Sequence, residues 1–156
     1  MISGRPAPPP AHPAFEARGV WYRYPGAATP AVAGIDLEVP VGSLYAILGP
    51  NGSGKSTLLR LLLGTLRPDA GTVRYGGRPV GTWGRRALAR RIGVVPQSEE
   101  TAFSLTVREL VAMGRYPHLG PLRRERPADR DAIRDALARC DLLALADRPL
   151  ATLSGG

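Results

Sequence analysis

Hydrophobic and polar positions follow three kinds of pattern along the chain. FEARGVWYRYPG, from Phe15, is an aromatic and β-branched run that closes on the turn pair Pro25-Gly26, and GIDLEV over 34–39 alternates apolar with polar residues. Both patterns predict strands. SLYAILG over 43–49, after the turn Pro40-Val41-Gly42, is nearly continuous in apolar residues, and so is IGVVPQ over 92–97. Runs of that kind predict strands buried on both faces. GTVRYGGRPVG over 71–81 predicts a hairpin turning at Gly76-Gly77.

The third pattern is helical. STLLRLLLGTL from Ser56 predicts a helix with an apolar face ending near Gly64, and GRRALARR over 84–91 predicts a basic helix. Thr106 and Glu109 match a capping box that opens a helix through Leu110, Val111 and Met113. Over 129–140, Ile133 recurs with Leu137, and Ala132 with Ala136 and Cys140, at helical spacing. The Arg- and Pro-rich stretch 115–128 reads as a charged linker. The order is β-rich first, then strand–loop–helix, then mostly helical from 104, which predicts an α/β core with a helical subdomain.

At 156 residues the chain suffices for one domain with a real core. Its formal charge of +8 admits nucleic acid, an anionic membrane surface or a phosphate ligand as partners, against the plainer reading of a solvated arginine surface. Only nine aromatic residues occur, and they do not alternate with the basic ones, so no nucleic-acid partner is expected. Cys140 is the single cysteine, which excludes a disulfide framework and predicts a buried helix residue. No apolar run reaches the ~18 residues of a membrane span. MISGRPAPPPAHPAF lacks the apolar stretch of a secretory signal, so residues 1–14 are expected to be a disordered Pro-rich extension with an incidental His12.

Charge changes the picture at one point. Lys55 is the only lysine, whereas all twenty other cationic side chains are arginine. It stands in GPNGSGKS, residues 49–56, which satisfies G-x-x-x-x-G-K-[ST] between an expected strand and an expected helix. Gly49, Gly52 and Gly54 remove Cβ atoms and permit positive φ, so successive amides at Asn51 to Ser56 can turn inward around a polyphosphate. The helix N-terminus adds partial positive charge. A planar guanidinium is too wide for such a nest, whereas a compact ammonium reaches between the β- and γ-phosphates as a point charge. Ser56 offers a hydroxyl to Mg²⁺, and Thr57 is placed to meet the α-phosphate. The competing reading is a surface lysine beside a Gly-rich turn.

Three further features narrow the class. Tyr24 precedes Pro25-Gly26, Gln97 closes IGVVPQ, and LSGG occupies 153–156. With the phosphate loop, these make the chain from about residue 15 resemble the ATP-binding subunits of ABC transporters. TVRELVAMGRYPHLG over 106–120 resembles the stretch after the glutamine in subunits that power uptake of iron–siderophore complexes, haem or vitamin B12. The resemblance implies a P-loop NTPase fold of the ABC ATPase type. It would comprise an N-terminal antiparallel β region, a phosphate-loop core and a partial helical subdomain from about 98 to 156. ATP and Mg²⁺ are the implied cofactors. Gly49, Asn51, Gly52, Ser53, Gly54, Lys55, Ser56 and Thr57 would cradle the phosphates, and Tyr24 would stack on adenine, with Trp21 and Tyr22 as competing candidates. Gln97 would contact Mg²⁺ and the attacking water. Ser154, Gly155 and Gly156 would bind nucleotide held by a second copy of the subunit.

The same resemblance implies further partners: membrane permease subunits, and through them a substrate-binding protein. The expected place is cytoplasmic, peripheral on the inner face of the cell membrane. Arg115, Tyr116 and His118 would lie near the groove that receives the permease. The family continues after LSGG with an Asp-Glu strand end and a later histidine that this chain does not contain. The expectation is therefore an N-terminal portion of a longer ATPase that does not turn over alone. The alternatives are a hydrolysis-deficient nucleotide-binding fragment and a soluble ABC ATPase outside transport.

Overall fold

The computed structural model describes residues 12–95, 105–119 and 124–153. It divides into two units, Met1–Gly84 and Arg85–Gly156. The first is built on a four-stranded sheet of order β2-β1-β3-β4, with β1 at Phe15–Tyr22, β2 at Val32–Val39, β3 at Ala70–Tyr75 and β4 at Arg78–Pro79. All three pairings are antiparallel. Ala17, Val20, Val32, Leu37 and Val73 are buried, and the odd spacings 17/20 and 32/37 coincide with register shifts of the β1–β2 ladder between Ala17 and Val20 and between Val20 and Tyr22, which interrupt strict alternation. Gly76 and Gly77, at φ 54° and 76°, make the predicted two-residue turn between β3 and β4.

The helix α1, Lys55–Leu62, buries Thr57, Leu58, Leu61 and Leu62 on one face and approaches β3. Leu61 is nearly inaccessible, and Leu58, Leu61 and Leu62 complete the apolar interior of this unit with the inward side chains of the sheet. The first-turn geometry starts at Lys55, one residue earlier than the sequence pattern predicts.

The second unit carries α2 (Arg85–Ala89), α3 (Val107–Met113) and α4 (Pro127–Arg139). The capping box at α3 is formed. The Thr106 amide donates to Glu109 Oε2 at 2.7 Å, and the Glu109 amide donates to Thr106 Oγ1 at 3.3 Å. The Thr106 amide, and then the Thr106 hydroxyl that also donates to Oε2 at 2.9 Å, hold the Glu109 carboxyl below its ordinary pKa. Val107, Ile133, Leu137 and Ala146 are the core, with Val111, Ala112, Leu142, Leu150 and Leu153 packed against it. Asp129, in the first turn of α4, accepts the Arg126 amide at 3.1 Å and both Nε and Nη2 of Arg115 at 2.9 and 2.8 Å. The predicted linker thus ends at Pro127, two residues before the pattern places the helix, because proline suits the first helical position.

Three expectations are overturned. Residues 43–49 form no strand: they carry no ladder, and Leu44 and Leu48 are 101% and 88% exposed. Residues 92–95 likewise carry no ladder, with Val94 and Val95 exposed, while 96 and 97 lie outside the described residues. An apolar run becomes a strand only where neighbours take up its N–H and C=O groups, and no described residue pairs with either run. Cys140 is exposed, since it falls at the C-cap of α4, where the helical face no longer points to the core. Most of the expected extension, residues 1–11, lies outside the described residues, but the Ala14 amide and carbonyl are tied to Val39 and Gly76.

Candidate functional site

The loop from Gly49 to Gly54 leads directly into α1, and its backbone explains its glycines. Gly54 sits at the N-cap with φ 85°, and a Cβ there would collide with the Ala31 carbonyl oxygen. Only glycine lets the chain turn into the helix against β2's entry. Gly52 is also left-handed, at φ 81°. Within the loop the Ser53 amide donates to the Pro50 carbonyl at 3.3 Å, and the Leu58 amide closes the first turn on the Gly54 carbonyl at 2.8 Å. The amides of Gly54, Lys55, Ser56 and Thr57 have no acceptor among the described residues, and no side chain caps the helix. Four unpartnered donors at a helix N-terminus are an anion-seeking arrangement.

Lys55 faces the same loop. Its Nζ donates to the Gly49 carbonyl at 2.8 Å and to the Pro50 carbonyl at 2.7 Å. The ammonium is thereby held over the loop rather than extended into solvent, and one of its three protons remains for another acceptor. The Ser56 side chain is exposed and makes no hydrogen bond among the described residues. Asn51 and Ser53 are also exposed on the loop. The donor set of bare amides, one ammonium and one open hydroxyl fits a polyphosphate with a hard divalent cation.

Tyr24 reaches α1 from the turn after β1. Its hydroxyl lies 3.3 Å from Thr57 Oγ1, and Arg60 Nη1 donates to it at 3.4 Å. The bond with Thr57, aided by Arg60, lowers the phenol's pKa from its ordinary value. Tyr22 packs edge-on against the Tyr24 ring, with centroids 5.0 Å apart. Trp21 points elsewhere, with its indole against Gly34. The structure therefore brings Tyr24, Thr57 and the phosphate loop together, and it brings Tyr22 only as far as the edge of the Tyr24 ring. Gln97, Ser154, Gly155 and Gly156 lie outside the described residues. Arg115 is engaged by Asp129, and Tyr116 is exposed. Arg60 was not singled out by its residue type, although its i+3 spacing from Thr57 puts the two on one helical face.

A glycine-rich loop that opens a helix with bare amides is the arrangement of a phosphate loop. The sequence pattern of the family described as ABC transporter matches residues 32–156, and the chain belongs to that family. It is 40% identical over 158 aligned residues to the hemin import ATP-binding protein HmuV of Streptomyces coelicolor, a match covering 100% of this chain and 56% of that protein. It is 43% identical over 122 residues to the ferric enterobactin transport ATP-binding protein FepC of Escherichia coli, covering 78% of this chain and 45% of that one. Among solved structures, cbiO1 of Clostridium perfringens, part of the ABC transporter complex cbiONQ, superposes with a TM-score of 0.74 at 29% identity. That likeness covers 92% of this chain and 56% of cbiO1. The chain spans about half the length of the curated relatives it matches.

Proposed function

We propose that this chain contributes the phosphate-binding part of the ATP-binding, energy-coupling subunit of an ABC importer for an iron–siderophore complex, haem or cobalamin. The observation that carries the reading is the row of unpartnered amides at Gly54–Thr57 with the Lys55 ammonium held over the loop. Family membership supports ATP as the polyphosphate, and the identity to hemin and ferric enterobactin import proteins supports the transported class.

In this reading Gly49, Asn51, Gly52, Ser53, Gly54 and Lys55 surround the β- and γ-phosphates, Thr57 meets the α-phosphate, and Tyr24 stacks on adenine. Ser56 and Gln97 would hold Mg²⁺, whose charge offsets that of the phosphate oxygens. Gln97 also orients the attacking water. Ser154, Gly155 and Gly156 would face the nucleotide of a second copy of the subunit. The domain would comprise residues 15–156, with a helical subdomain from about 98. ATP binding would close the two copies and hydrolysis release them, passing motion through the Gln97 region and 104–120 to membrane permease subunits and, through them, to a substrate-binding protein. No described helix is long and apolar enough to cross a membrane, so attachment to the inner face of the membrane would run through the permease.

Titration with a fluorescent ATP analogue tests the reading. Lys55→Ala should weaken binding by about 1.5–3 kcal/mol, the worth of a charge-assisted hydrogen bond. Unchanged affinity would remove Lys55 from the site. Co-purification with a permease, and ATP-dependent uptake of haem or a ferric chelate into proteoliposomes, would test the transport assignment.

A further inference from the structure

Arg60 is an exposed arginine on α1 that the phosphate-loop pattern leaves unassigned, yet its guanidinium does not simply face solvent. Nη1 donates to the Tyr24 hydroxyl at 3.4 Å, and the same hydroxyl lies 3.3 Å from Thr57 Oγ1 on the buried side of the helix. An arginine side chain has donors only, so its N–H takes an acceptor position on the phenol oxygen, while the bond between that hydroxyl and Thr57 Oγ1 can run in either direction. The hydroxyl is thus engaged by two residues three positions apart on one helix. With Tyr22 edge-on at 5.0 Å, Tyr24 is held at its hydroxyl by Thr57 and Arg60 and at its ring by Tyr22.

We propose that Arg60 is a positioning residue for the base. Through the shared Tyr24 hydroxyl it pins the aromatic platform to the helix that carries the phosphate loop, so that base and polyphosphate are bound in a fixed register. This inference rests on the nucleotide reading above. A tyrosine beside a turn would otherwise be free to stack in several orientations, and stacking gains strength when the partner face is fixed beforehand. The lowered pKa of Tyr24, to which Arg60 contributes after Thr57, reports the same contact.

The test compares ATP with inorganic tripolyphosphate, which lacks the base, using the wild type, Arg60→Met, Tyr24→Phe and the double variant. Arg60→Met should weaken ATP binding roughly three- to tenfold, the range of one hydrogen bond, and leave tripolyphosphate binding unchanged. Tyr24→Phe, which keeps the ring, should do the same, and the double variant should be no weaker than the worse single one. A nucleotide-free readout accompanies it. The phenolate absorbance of Tyr24, taken as the difference between each protein and its Tyr24→Phe form, should titrate at higher pH in Arg60→Met than in the wild type.

Equal losses for both ligands would place Arg60 on the phosphates and overturn the proposal. Additive losses in the double variant, an unchanged ATP affinity, or an unmoved phenol titration would also overturn it. A wild type that binds neither ligand overturns the nucleotide reading and this inference with it. Failure of Arg60→Met to differ from a wild type that binds both overturns the inference alone.

Discussion

The sheet of the first unit and the apolar run that follows it make an instructive pair. β1 and β2 carry a mixed pattern, with Glu16, Asp36 and Glu38 interleaved among Ala17, Val20 and Leu37, and every strand finds a partner within about 60 residues of chain. Residues 43–48 are more apolar than either strand, yet Leu44 and Leu48 stand in solvent. Hydrophobicity alone does not make a strand. An antiparallel sheet closes through local turns, whereas a strand buried on both faces depends on neighbours and covering layers brought from far along the chain. Residues 92–95 repeat the lesson in the second unit, with Val95 at 95% exposure.

The comparison can be broken by mutation. Its largest expected effect is on the buried side: Leu61→Ala and Leu137→Ala should each cost about 2–5 kcal/mol in urea denaturation, because both side chains are enclosed. Leu48→Ala, the same chemical change at an exposed site, should stay within about 0.5 kcal/mol. If it cost as much as Leu61→Ala, the segment would be buried in solution and the contrast would disappear.

Next in size is Gly54→Ala. The left-handed φ and the Ala31 carbonyl leave no room for a methyl group, so a loss of about 1–3 kcal/mol is expected, together with weaker ATP binding. A stable variant with wild-type affinity would show that the loop reaches α1 by another path.

Smaller effects belong to the helix ends of the second unit. Thr106→Ala should lower the unfolding free energy by the worth of one cap, about 1 kcal/mol, read from urea denaturation. Asp129 has a carboxyl depressed first by the Arg126 amide and then by the Arg115 side chain. Its contribution is therefore complete above the unfolded aspartate value, near pH ~4, and is lost as pH falls through the lower folded value. In Asp129→Asn that part of the acid limb should be missing; an unaltered pH profile would mean that the contacts of Asp129 with the Arg126 amide and Arg115 are not kept in solution.

Much of the architecture was legible because it is local. The aromatic and β-branched run of β1, the alternation over 34–39, the Gly76-Gly77 turn, the Thr106–Glu109 box and the Ile133–Leu137 stripe each depend on residues a few positions apart, and the elements they predict are found in the structure. The misplaced elements depend on partners that spacing cannot name. Cys140 failed for a different reason: helical periodicity does not say where the helix stops, and one residue past Arg139 the face has changed. At the candidate site, the loop glycines and Lys55 follow from one short motif, whereas the contact of Tyr24 with Thr57, 33 positions apart, does not. The link from Tyr24 to Arg60 crosses 36 positions of sequence, and only the packing of the turn after β1 against α1 reveals it.

The central claim is that bare backbone amides at the start of α1 receive a polyphosphate. Amide ¹H–¹⁵N spectra recorded during titration with Mg²⁺ and ATP test it most directly. The account predicts saturable shifts at Gly52, Gly54, Lys55, Ser56 and Thr57, abolished by Lys55→Ala. Shifts confined to the arginine-rich surface of α2, or none at these five amides, would contradict it.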